Sequence, residues 1–156
     1  MNEHNDMHGA LTLRMTNREG RVVHETSHRN HIVTTGRDLV AKLFGAQVAG
    51  VPPTAVTHMA LGTDGTDPTD ADTALRAEIV PRKPVSVEYS RITESGVARV
   101  RARLTTVFDS GEANGALREA GIFTAATGGV MYNRVKFDTV TKTADFKLTL
   151  VWDVVF

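Results

Sequence analysis

Polar and apolar residues alternate through most of this chain, the period of a half-buried strand. In the first such run Leu11, Leu13 and Met15 alternate with Thr12, Arg14 and Thr16. Asn17-Arg18-Glu19-Gly20 supplies a turn, and Arg21 to Glu25 is predicted to return as the hairpin partner. The period changes over Thr35 to Phe44. Leu39, Val40, Leu43 and Phe44 fall on one helical face and Arg37, Asp38 and Lys42 on the other. With Thr34 or Thr35 as cap and Gly45 at the end, this predicts a short amphipathic helix over a core. Ala46 to Pro53 reads as a loop, because Pro52-Pro53 blocks regular structure.

Val56 to Leu61 reads as a short buried strand that runs into a turn-rich loop, Gly62 to Ala71. Asp72 is expected to cap one or two helical turns carrying Leu75 and Ile79, ended by Pro81. From Val85 the pattern is nearly all strand. Val85, Val87 and Tyr89 alternate with Ser86 and Glu88. After the Glu94-Ser95-Gly96 turn, Ala98, Val100, Ala102, Leu104 and Phe108 point one way and Arg99, Arg101, Arg103 and Thr105 the other. Turns at Asp109–Gly115 and Thr127–Gly129 set off strands over Leu117 to Ala125 and Val130 to Phe137. The last run is the strongest, with Phe146, Leu148, Leu150, Trp152, Val154 and Phe156 on every even position. So much burial in one run predicts a strand that is central or locked against a sheet. The expected fold is mainly β: an antiparallel β-sandwich of seven to eight strands with one or two short helices. Residues 1–9 are polar and aperiodic and read as a flexible arm, leaving 10–156 as one domain.

The 156 residues suit one domain, and the 18 basic and 18 acidic side chains cancel. That balance argues against a nucleic-acid protein held by bulk charge. The absence of cysteine excludes disulfides, cysteine-ligated metals and thiol chemistry. Apolar runs are far short of the roughly 20 residues that span a bilayer. The first residues lack an apolar signal core, so synthesis in the cytoplasm and no membrane partner are expected.

His24-Glu25-Thr26-Ser27-His28 matches the H-E-x-x-H motif of zinc hydrolases literally. That chemistry needs a helix, where i, i+4 spacing puts both imidazoles on one metal and the Glu beside its water. This segment continues a strand pattern, in which His24 and His28 would lie about 13 Å apart. His31 follows where the longer motif wants Gly. The expected reading is a polar strand and loop with exposed His, with zinc hydrolysis a minor alternative. Asp64, Asp67, Asp70 and Asp72 offer hard oxygen ligands, but their spacing departs from a calcium loop, and turn capping explains them without a metal. No cofactor is expected. Arg99, Arg101 and Arg103 form one strand face, read as a surface for an acidic partner or as a solvated face opposed by Glu88, in preference to a nucleic-acid contact. With one Trp and two Tyr, base stacking and sugar stacking are poorly supplied. There is no nucleophile elbow, P-loop or dinucleotide fingerprint, so a non-enzyme is expected.

Three segments carry a resemblance. Asn30 to Ala41 resembles an "N-x-V-x-x-G-x-D-x-[IV]-A" strand-to-helix unit. His58 to Thr66, continued through Asp70 to Glu78, is similar to "[IM]-A-x-G-T-G-x-T…D-T-A-L-x-x-E". Leu117 to Phe123, Gly129 to Val135 and Thr141 to Trp152 look like "R-E-A-G-[LI]-F…R-V-x-F…K-T…L-x-[VI]-x-W". In this order they resemble small virion structural proteins of tailed bacteriophages, of the tail and tail-fibre-attachment kind, and they span most of the chain from Asn30. One departure is Asp64 in place of the Gly of the G-T-G turn. The resemblance implies a non-enzymatic tail, collar, baseplate or fibre-adaptor protein located in the virion. Its partners would be other virion proteins and copies of itself in a symmetric homo-oligomer. A capsid decoration protein is the alternative.

Overall fold

The computed structural model describes residues 7–46 and 53–156. Most of the expected arm and most of the 46–53 loop therefore lie outside the described residues. Among the described residues ten strands and one helix follow in order: β1 (His8–Thr16), β2 (Val22–Arg29), β3 (His31–Ile32), α1 (Thr34–Phe44), β4 (His58–Gly62), β5 (Glu78–Pro84), β6 (Ser86–Glu94), β7 (Val97–Phe108), β8 (Gly115–Phe123), β9 (Met131–Lys142) and β10 (Lys147–Val155). They form two antiparallel five-stranded sheets, in the orders β2-β1-β10-β7-β6 and β3-β9-β8-β4-β5. The chain is a mainly β, sandwich-like fold, as its alternation requires.

The strands outnumber the seven to eight expected. The additional ones carry weak patterns: β3 is two residues long, and β5 holds Pro81 and Pro84. β10 is central, between β1 and β7, as its even-numbered apolar run predicts. Leu148, Leu150, Trp152 and Val154 are buried, whereas Phe156 at the end of the run stays partly exposed. In β7 the inward face starts later than expected. Ala102, Leu104 and Phe108 are buried, but Ala98 and Val100 are exposed. They belong to the distal half of the β6–β7 hairpin, beyond the core.

No helix forms after Asp72; residues 71–77 are turns and bends, and Ile79 lies in β5. The Asp72 carboxylate does cap, but it accepts from the Thr69 N–H at 3.1 Å and the Thr69 hydroxyl at 3.0 Å. It thus closes a turn behind itself instead of a helix ahead. Residues His8 and Gly9 of the expected arm are the start of β1, paired with Val155 and Val154.

α1 begins without a side-chain cap. Val33 holds the cap position, and the Thr35 hydroxyl donates instead to the Met131 carbonyl at 2.8 Å, tying the helix to β9. Leu39 is buried, but Phe44 is 97% exposed, because the last turn runs past the surface its face covers. The helix approaches β9 closely at Gly36, where a Cβ would stand 1.9 Å from the Tyr132 carbonyl oxygen. Gly36→Ala must push helix and strand apart, and we expect a loss of about 1–3 kcal/mol in chemical denaturation, the usual range for overpacking.

Candidate functional site

The acidic loop between β4 and β5 is the most heavily interlocked region, and a buried cation organises it. Arg134, on β9, is 0% exposed. Its Nε donates to Glu119 Oε2 of β8 at 2.8 Å, Nη1 to Asp72 at 3.0 Å and Nη2 to Asp64 at 3.2 Å. Glu119, also fully buried, further accepts the backbone N–H groups of Arg76 (3.2 Å) and Ala77 (2.8 Å). A charged pair rising from two neighbouring strands therefore holds both ends of a loop that is distant in sequence. Leu75, in the same loop, packs with Val33, Ala60, Phe123 and Met131 as a second small core.

The remaining acids are also paired. Asp67 accepts from Lys136, and Asp70 from His31 at 2.7 Å. Thr66 donates its N–H and its hydroxyl to Asp64. Asp64, Asp67 and Asp72 thus spend their oxygens on protein donors. Among the described residues no group of three His, Asp or Glu is arranged to hold a metal.

These contacts move the acids' pKa values. Asp64 is held below the usual carboxylate range, mainly by Thr66 and then by Arg134. Lys136 lowers Asp67. Burial alone would raise Asp72, but the Thr69 donors and Arg134 outweigh it, and the net shift is downward. Burial alone would lower Arg134; Glu119 and then Asp72 reverse that and keep it charged. Lowered acids favour the folded state above their unfolded pKa and lose that contribution as pH falls through the folded values. Denaturation midpoints are therefore expected to be flat above about pH 5 and to decline below about pH 4. Asp72→Asn should lower the plateau and flatten the decline.

The H-E-x-x-H segment lies on strand β2. His24, Thr26 and His28 pair with Met15, Leu13 and Leu11 and share their face, while Glu25 faces the other way. Glu25 accepts from Arg14 Nε at 2.6 Å, and Thr26 bonds His28 at 2.9 Å. The His28 ring lies 5.9 Å from Phe137. The strand thus separates the base from the imidazoles that a zinc hydrolase would bring together.

The arginine stripe lies on the outer face of β7 and is tied into its own sheet. Arg103 forms a two-pronged pair with Asp153 of β10, both contacts at 2.7 Å, and faces Glu88 in register. That pairing lowers Asp153 and raises Arg103. Arg101 donates to Ser90 at 3.2 Å, and Arg99 is likewise engaged. Of the two readings, the solvated face with acids opposite describes these contacts.

Arg134, Glu119 and the buried Lys142 were not singled out from the sequence. Lys142 donates to the Asp109 carbonyl at 2.7 Å and to Asn114 at 2.9 Å, holding the β7–β8 turn. Each of the three is a charge inside a strand run, Arg134 between Asn133 and Val135, and such a charge by itself reads as a solvent-facing position.

The free edges of the sheets are the other distinctive surface. β6 closes one edge of the first sheet, and its residues are mostly exposed. Val87 and Tyr89 line an apolar cavity of about 190 Å³ together with Leu43, Leu104, Tyr132 and Phe156. Burial there pushes the Tyr132 phenol up to about 12. Tyr89 is 76% exposed and Phe156 40%, so the cavity opens onto an apolar rim.

Compared with known proteins, the chain matches no family model, no curated protein and no solved structure.

Proposed function

We propose that this chain is a non-enzymatic structural component of a tailed-phage virion, at the tail, collar, baseplate or fibre attachment, working through contacts with virion proteins and with copies of itself. One observation carries the reading. Two of the three segments that resemble such proteins meet in a single device: Asp72 comes from the second segment and Glu119 and Arg134 from the third, all at positions the resembled pattern keeps. Residues of the second and third segments are therefore joined by a physical dependence, which supports reading those segments together.

The surface supports the same reading. Exposed Val87, Tyr89 and Phe156 beside a strand edge that is unpaired among the described residues suit protein contact better than small-molecule chemistry. Immunogold labelling of purified particles, with an antibody to this chain, tests it. Label at the tail or neck is expected. Label over the whole head would replace this reading with capsid decoration, and unlabelled particles would overturn the virion assignment.

A further inference from the structure

Among the described residues the sheets offer four edges, and three are poor templates for a further strand. β3 is two residues long. β5 contains Pro81 and Pro84, which have no N–H to donate. β2 is polar, and its pairing to β1 is broken by a shift at Met15/Thr16. β6 runs nine residues, Ser86 to Glu94, with no proline, glycine, lysine or bulge, and pairs with β7 without interruption. The usual devices that blunt an edge are therefore nearly absent from it; Arg91 alone puts a charge on the cavity side.

The hairpin geometry fixes which groups are free. Ser95 and Gly96 have φ of 49° and 79°, the type I′ turn of a two-residue hairpin. Glu94 and Val97 then form a hydrogen-bonded pair, and so do Ile92, Ser90, Glu88 and Ser86 with their partners on β7. The odd-numbered residues Val87, Tyr89, Arg91 and Thr93 direct their N–H and C=O groups outward. Val85 is excluded, because its N–H already donates to the Thr57 carbonyl at 3.0 Å. The free stretch runs from 87 to 93, and its centre is Ser90.

We propose that β6 pairs antiparallel with β6 of a second copy of this chain, about a twofold axis at Ser90, joining the two five-stranded sheets into one. This deepens the assembly reading above and rests on it for its biological setting. The symmetric register is set by the free groups. Centring on Ser90 places Val87 opposite Thr93 and Tyr89 opposite Arg91, so all four outward-facing residues of each copy gain bonded partners. Shifting the axis to Tyr89 would place Thr93 opposite Val85, whose donor is taken. Shifting it to Arg91 would set two guanidinium groups against each other. In the Ser90 register each Arg91 meets a Tyr89 ring, an arrangement that suits a cation over an aromatic face. The formal net charge of zero does not oppose self-association. The same contact covers the apolar rim at Val87 and Tyr89.

The absence of cysteine makes the test clean. Opposed Ser90 residues form a non-hydrogen-bonded pair with Cα atoms about 4.5 Å apart, within disulfide range. Ser90→Cys is expected to give a covalent dimer under mild oxidation, whereas Glu88→Cys, placed opposite Ile92, is not. Sedimentation of the unmodified chain at about 0.1 mM, where micromolar association is saturated, should show a dimer. Tyr89→Lys, which sets like charges opposite each other, should make it monomeric while circular dichroism keeps the native β signal. A monomer at that concentration overturns the proposal. So does a dimer that Ser90→Cys fails to trap, or one trapped instead by Ser27→Cys on β2. These outcomes are independent of particle labelling: a β6 dimer without label would remove only the virion reading, and label without a dimer only this interface.

Discussion

Arg134→Ala is expected to be among the most damaging single substitutions in the chain. It leaves Glu119 fully buried without its cation and releases Asp72 and Asp64 from the loop they hold. Removing one partner of a buried pair typically costs about 3–5 kcal/mol, a large share of the ~5–15 kcal/mol that stabilises a domain. Urea denaturation should show this loss, and amide exchange of residues 63–77 should rise well before the core opens. The double variant Arg134→Met, Glu119→Gln should recover much of it. The buried charges are then gone together, and the Gln oxygen can still accept from Ala77. If the double variant is as unstable as Arg134→Ala, packing around Arg134 is what matters, and the charge account fails.

Trp152→Ala is expected to cost a comparable ~3–5 kcal/mol, the usual range for deleting a large buried aromatic. Trp152 is 0% exposed on the central strand β10, with Leu11 and Leu104 opposite it on the two flanking strands. The cavity would open where both sheets depend on one layer of side chains. Trp152→Phe should cost much less. The indole N–H has no hydrogen-bond partner among the described residues, so Phe loses area but also removes an unsatisfied buried donor. Thermal and chemical denaturation of the two variants should separate these effects.

Both predictions concern residues of different legibility. Trp152 stood out because it lies on an alternating run, and alternation reports burial directly. Arg134 did not, since a charge in a strand run ordinarily marks the solvent face. Its burial depends on a loop some 60 residues earlier folding over the outer face of the sheet, which no local window contains. The same cause explains the helix expected after Asp72. Capping residue, apolar spacing and terminal proline are all present, but Glu119 captures the Arg76 and Ala77 N–H groups first. The His24–His28 motif is a mixed case: local pattern set it apart from a helix, but the strand runs on to Arg29 where a loop was expected, and His28 is half-buried, because pairing with β1 extends it.

The class of fold, a hairpin after β1, the helix over 35–44 and the deep burial of the last strand were all legible in the chain. Each follows from side-chain period and turn chemistry within a few residues. Which charges are buried, and which edge strand is open among the described residues, came only from the folded arrangement. Those depend on contacts between distant segments: a carboxylate is a metal ligand, a cap or a counter-ion according to which donor reaches it first. An edge is free or closed according to what the rest of the chain lays against it.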